Sequence, residues 1–163
     1  MSTFTWVHTA LSVAALIAGL IVVIGLFTSK TLGGWTAIFL ATAIATSATG
    51  FGFPFQSFGA SHWIGVISLV VLVLAVLARY VLHYAGAWRW LYAVCTVVAF
   101  YFLVFVLIAQ AFKKVPALAA LAPTLSEPPF VIAQVVAMVI FVVIAIATAR
   151  KFRPGARKFS APA

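Results

Sequence analysis

The chain has 163 residues, 66% hydrophobic and only 7% charged, with a mean hydropathy of +1.27. A soluble domain carries about 25% charged residues, so a water-facing globular surface is excluded, and no polar stretch is long enough to make a separate soluble domain. The formal charge of +9, ten Lys plus Arg against the single acid Glu127, fits membrane topology signals. It does not fit nucleic-acid binding, because no aromatic-and-basic face exists outside the apolar segments.

Five apolar segments are long enough to cross a hydrocarbon core that takes about 20 helical residues. They cover about 5–27, 34–51, 61–83, 87–112 and 128–150. Backbone hydrogen bonding in lipid allows helices or a closed barrel, and the alternation of a barrel is absent. The expected fold is therefore an all-α integral membrane protein: one transmembrane domain over 1–152 with five spans, then a basic tail, 153–163.

The first segment lacks the basic n-region and small-residue cleavage site of a signal peptide, and reads as a retained helix. It ends at "SKTLGG". The second, "TAIFLATAIATSATG", repeats Ala41, Ala45 and Ala48 with Thr42, Thr46 and Thr49 at three- and four-residue spacing. That pattern suits either a tightly packed central helix or a polar stripe along a cavity. "GFGFP" ends it, since glycine weakens a helix and Pro54 cannot donate into one.

The connection to the third span, "SATGFGFPFQSFGASHW", carries no charge. Phe51, Phe53, Phe55 and Phe58, with Pro54, are expected to fold back onto the helix ends as a lid. In the fourth span Cys95 reads as a small packing residue, and Tyr101 as a hydroxyl seeking a backbone partner. "SEPPF" opens the fifth, with Ser126 as N-cap, Glu127 at the positive dipole end and prolines in the first turn.

With the N-terminus outside, Lys30, Arg79, Arg89 and the five cations of "RKFRPGARK" fall on the cytoplasmic side, and only Lys113 and Lys114 outside. The positive-inside rule selects this orientation, with the C-terminus cytoplasmic, and the tryptophans at the span ends agree. His83, Arg79 and Arg89 then read as interfacial residues that snorkel. Arg150, Lys151, Arg153, Arg157 and Lys158 would anchor the tail to anionic lipid.

In this orientation His8, Thr46, Thr49, His62, Gln110 and Gln134 gather near the outer level, with Glu127 just above. Polar groups are costly in a bilayer, and such a gathering predicts a small outer-face pocket roofed by the lid. Each has a plainer role too: His8 and His62 as interfacial histidines, Gln110 and Gln134 bonded to each other. Paired carboxylates, a phosphate-cradling glycine motif and close metal-ligand spacing are all missing. No internal repeat supports an inverted-repeat transporter.

The stretches "GWTAIFLAT", "TGFGFPF", "ISLVVLVLAVLARY" and "SEPPF" resemble those of a family of small multi-spanning inner-membrane proteins of proteobacterial type. The resemblance covers most of the chain. It implies a bacterial inner (cytoplasmic) membrane and brings no activity and no catalytic residues.

Three functions follow as expectations. The first is a non-enzymatic bundle, either an accessory subunit of an oligomer or larger complex or a binder of an apolar ligand in the outer pocket. The second is a redox protein holding a b-type haem between His8 and His62, histidines at matched depth on different helices; the same pair could serve a metal. The third is an oligomeric transporter or channel for a small uncharged solute.

Overall fold

The computed structural model describes residues 3–53 and 60–155, leaving out the side chains of residues 60 and 61. Among these residues all regular structure is helical. Helix α1 is Thr3–Phe27, α2 Gly33–Gly50 and α3 Ala60–Val76, which runs on into a π-helical turn, Leu77–Val81. Helix α4 is Trp88–Lys114, α5 the short Pro116–Leu121, and α6 Pro128–Lys151. Pro54, Phe55 and Phe58 of the lid, and Arg157 and Lys158 of the tail, lie outside the described residues.

Among the described residues four helical stretches are long and apolar enough to cross a membrane: Thr3–Phe27, His62–Val81, Trp88–Lys114 and Pro128–Lys151. Helix α2, diluted by threonine and glycine over its 18 residues, is not among the four.

Local chemistry explains the boundaries. After α1 the chain reverses through Ser29 and Leu32, both at positive φ. After the π turn it reverses through His83 and Tyr84, again at positive φ, and then Gly86. Pro116 and Pro128 each sit in a first helical turn, where a missing N–H costs nothing. Helix α4 carries Lys113 and Lys114 in its last turn, two residues beyond the expected end, and the extended Val115 before Pro116 closes it. The π turn has no clear sequence signal, and α5 has only Pro116 at its start.

Helices α1, α2, α3 and α4 pack each on the next, with α4 returning to α1; α6 lies along α4 and touches α1. The core of this ring is built from Ala15, Ala18, Val22 and Leu26 of α1, Phe39, Leu40 and Ala43 of α2, Leu72 and Ala75 of α3, and Val97 and Phe100 of α4. Gly19 makes the centre possible. A Cβ there would lie 2.6 Å from Phe100 Cδ2 and 2.9 Å from Phe39 Cε2, so two rings occupy the space a side chain would take.

That packing sets the phase of α2. Thr36, Phe39, Leu40, Ala43 and Thr46 turn inward, while Ala41 and Ala48 are exposed. The alanine stripe is thus not the packing face, because the bulky Phe39, matched to Gly19, commits the helix to another phase. Helix α6 buries only Gln134, Ala137 and Thr148, and presents Val131, Ile132, Val139 and Val143 outward. A helix apolar on all sides suits lipid, where a carbon surface carries no penalty.

Candidate functional site

At the end of the bundle where α1 begins, α2 ends and α3 begins, His8 and Thr49 meet. His8 Nδ1 lies 2.8 Å from Thr49 Oγ1. The Thr49 hydroxyl donates back to the Ala45 carbonyl at 2.7 Å, so its one hydrogen is committed. With that hydrogen on Ala45, His8 Nδ1 serves as the donor of the pair in the tautomer that leaves the lone pair on Nε2.

Aromatic rings close around this pair. Phe53 stands edge-on to His8 at 5.0 Å and to Phe4 at 5.0 Å. Phe51 lies 5.9 Å from the His62 ring. Glycines make room: a Cβ on Gly52 would come within 2.7 Å of Phe4 Cζ, and one on Gly65 within 3.0 Å of Phe51 Cζ. Each histidine thus packs against its own phenylalanine of the connection.

The other polar residues of this level go separate ways. Thr46 is buried, and among the described residues its hydroxyl has no partner. Gln134, also buried, donates to the Phe105 carbonyl at 3.1 Å, and its Oε1 has no partner there. Gln110 is exposed on α4, so the glutamines do not pair: Gln134 finds a backbone carbonyl instead. Tyr101 is set among Phe102, Phe105 and Phe141. Cys95 is buried and free.

Ser126 does not cap α6. The residue before the helix is Glu127, whose carboxylate accepts from the Thr124 amide and hydroxyl and the Ser126 amide at 2.8–3.3 Å. These donors, the Thr124 hydroxyl foremost, hold its carboxyl below the usual range.

At the opposite end lies an arrangement the sequence reading missed. Arg79, expected to snorkel toward water, is half-buried and turned inward. Its Nη1 donates to the Thr31 carbonyl at 3.0 Å and the Tyr84 hydroxyl at 2.5 Å, and lies 3.5 Å from the Tyr92 hydroxyl. The guanidinium also sits over the rings of Tyr80, Tyr84 and Tyr92, 5.3–6.0 Å from their centroids. Tyr84, in the reversal between α3 and α4, has its phenol held well above its ordinary range by burial, and next by Tyr92. Phe152, fully buried, packs on Tyr84 and Tyr92 at 5.5 Å. Its carbonyl accepts from Arg89 Nη1 at 2.8 Å. The available signal was three tyrosines within thirteen residues of one arginine.

Ser29 completes this end. Its hydroxyl donates to the Lys151 carbonyl at 2.9 Å and accepts from the Arg153 amide at 3.0 Å. The start of the tail is therefore fastened to the α1–α2 turn.

A crevice of about 230 Å3 opens between α4 and α6, walled by Val97, Val98, Tyr101 and Phe102 on one side and Met138, Phe141, Val142 and Ala145 on the other. Nearly all of its surface is carbon. Groups of three or more His, Cys, Asp or Glu able to hold a metal ion are absent among the described residues. No protein-family model matches this chain, and neither a curated protein nor a solved structure matches it significantly.

Proposed function

We propose that this is a non-enzymatic, multi-pass protein of a bacterial inner membrane that holds an apolar chain, such as a lipid tail, in the crevice between α4 and α6. The crevice carries this reading. Its walls are aliphatic and aromatic, it lies along two helices able to cross a membrane, and bilayer hydrocarbon is what surrounds it. At about 230 Å3 it is smaller than the ~300–1,000 Å3 of small-molecule pockets, which suits a segment of a linear chain. An accessory-subunit role is compatible, with the lipid as a seam-filler.

Helix α2 is the fifth span in this reading. Its 18 residues rise about 27 Å at 1.5 Å each, near the ~30 Å of the hydrocarbon core, and it runs antiparallel to α1 from the Leu32–Gly25 contact to the Thr49–His8 bond. The N-terminus is then outside, and the Arg79 end cytoplasmic by its cations.

The test is to purify the protein in mild detergent and quantify co-extracted apolar molecules by mass spectrometry, beside Val142→Trp. Val142 is half exposed, so the larger ring enters the crevice without overfilling the core. About one chain per protein, lost in the variant, is the expected result. Equal amounts in both proteins would overturn the reading.

One observation favours a redox reading as a second. The Thr49 hydroxyl engages His8 Nδ1, and a hydroxyl on one ring nitrogen is the kind of support that a histidine ligating through the other nitrogen uses. His62 would be the partner ligand and Phe51 and Phe53 the apolar surround. A reduced-minus-oxidised spectrum decides: an α-band lost in His8→Ala and His62→Ala supports it, and a colourless, metal-free protein removes it.

A further inference from the structure

Lys30, Lys151 and Arg153 are all exposed, and the backbone that carries them meets at Ser29. Lys30 follows Ser29 in the chain. The Ser29 hydroxyl holds the carbonyl of Lys151 and the amide of Arg153, at 2.9 and 3.0 Å. Arg89 grips the carbonyl of the intervening Phe152 at 2.8 Å, and the Phe152 ring is buried under Tyr84 and Tyr92. The backbone of 151–153 is thus pinned on both sides, and three cationic side chains leave one fixed junction. Lys151 Nζ is drawn over the Phe27 ring, 5.5 Å from its centroid, toward the α1 side of the same junction.

Cations carried on one junction repel, and a carboxylate beside them would relieve that repulsion. This chain has one acid, Glu127, and it is at the other end of the bundle, engaged with Thr124 and Ser126. The contrast with Arg79 is informative. That cation is compensated within the protein, by a carbonyl, a hydroxyl and three ring faces. At the Ser29 junction the described residues offer no carboxylate, so an anion from outside the protein would relieve the repulsion.

We propose that the Ser29 junction binds the phosphate of an anionic lipid headgroup. The junction lies where α1 and α6, both long and apolar enough to cross a membrane, come to their ends, which is the level of lipid phosphates. Arginine supplies a fork matched to phosphate oxygens, and the lysines supply mobile donors. The inference rests on the membrane reading but not on the crevice, because it concerns the headgroup alone.

The experiment compares binding of phosphatidylglycerol and phosphatidylcholine with identical chains to the full-length protein, by native mass spectrometry from detergent. Three proteins are used: the parent, Lys30→Gln/Lys151→Gln/Arg153→Gln, and Lys113→Gln/Lys114→Gln, which removes two cations at the opposite end. The parent is expected to prefer phosphatidylglycerol, with about five-fold lost per junction cation removed, and the Lys113/Lys114 variant to keep the preference. Should the triple variant fail to fold, Arg153→Gln alone is read in its place. Equal binding of both lipids by the parent, a preference surviving in the triple variant, or one lost equally in the Lys113/Lys114 variant would each overturn the proposal. So would displacement of phosphatidylglycerol by millimolar inorganic phosphate, which would mark a site for a free anion. Val142→Trp, by contrast, should weaken both lipids alike, so failure of the crevice is distinguishable from failure of the headgroup site.

Discussion

His8 on α1 and Thr49 on α2 are joined by a 2.8 Å hydrogen bond between residues 41 apart in sequence. It is the polar link that registers the start of the first helix against the end of the second. On the outside the His8 ring meets Phe53, which in turn packs on Phe4.

Removing that link should cost about 1 kcal/mol, the usual net worth of such a bond in water and somewhat less between membrane helices. Thr49→Val and His8→Phe are expected to lower the thermal midpoint in detergent by similar amounts. The double variant should add little to either single one. Full additivity in that cycle would show that the pair does not act as a unit.

Gly19 is a steric requirement, since a methyl there meets both Phe100 and Phe39 below 3.0 Å. Gly19→Ala is expected to destabilise by about 1–3 kcal/mol through overpacking, despite alanine's better helix propensity. Adding Phe100→Leu should recover part of the loss. If Gly19→Ala raises the thermal midpoint instead, the ring centre is looser than described.

Arg79 is held by geometry that lysine cannot reproduce: one nitrogen on a carbonyl and a hydroxyl while the flat guanidinium faces three tyrosines. Arg79→Lys should therefore destabilise nearly as much as Arg79→Gln, by about 1.5–3 kcal/mol for lost bonds to a charged group. Full stability in Arg79→Lys would mean that charge alone matters. Because Tyr84 beside it has a raised pKa in the folded state, its neutral form favours folding, and stability should fall as pH climbs above about 10, where the unfolded phenol ionises. Absorbance at 295 nm should show phenol ionisation extending to higher pH in the folded protein than in denaturant, and Tyr84→Phe should remove part of that delay.

Glu127 works in the opposite direction. Its carboxyl is lowered in the folded protein by donors from Thr124 and Ser126, so its contribution is present above the unfolded value near 4.3 and is lost as pH falls through the folded value. Amide hydrogen exchange around residues 124–130 is expected to quicken at acid pH in the parent. In Glu127→Gln it should already be fast at neutral pH. An unchanged exchange profile in that variant would leave the turn held by other contacts.

Much of the architecture could be read from residue order. The helical positions of all five long segments were visible because apolar runs of that length leave few ways to satisfy a backbone in lipid. Their stops were visible because Gly and Pro act locally. The inward face of α2 was not: alanine spacing pointed to one face, and the fit of Phe39 into the space over Gly19 selected another. The glutamines were grouped by depth, but depth does not say which way a side chain turns around its helix, and Gln110 turns outward.

The sequence by itself determined that this chain is a bundle of apolar helices with its cations concentrated near one set of helix ends, because length, hydropathy and charge act without reference to neighbours. Only the tertiary structure decided which of those cations are absorbed and which are left over. Arg79 is taken up by tyrosines from the π turn, the reversal and α4, whereas the backbone carrying Lys30, Lys151 and Arg153 is brought together at Ser29 with no carboxylate among the described residues there. The reason is physical: a charge is compensated by what packing places within a few ångströms of it, and sequence separations of 48 residues for Arg79 and Thr31, or 122 for Ser29 and Lys151, carry no local signal of that meeting.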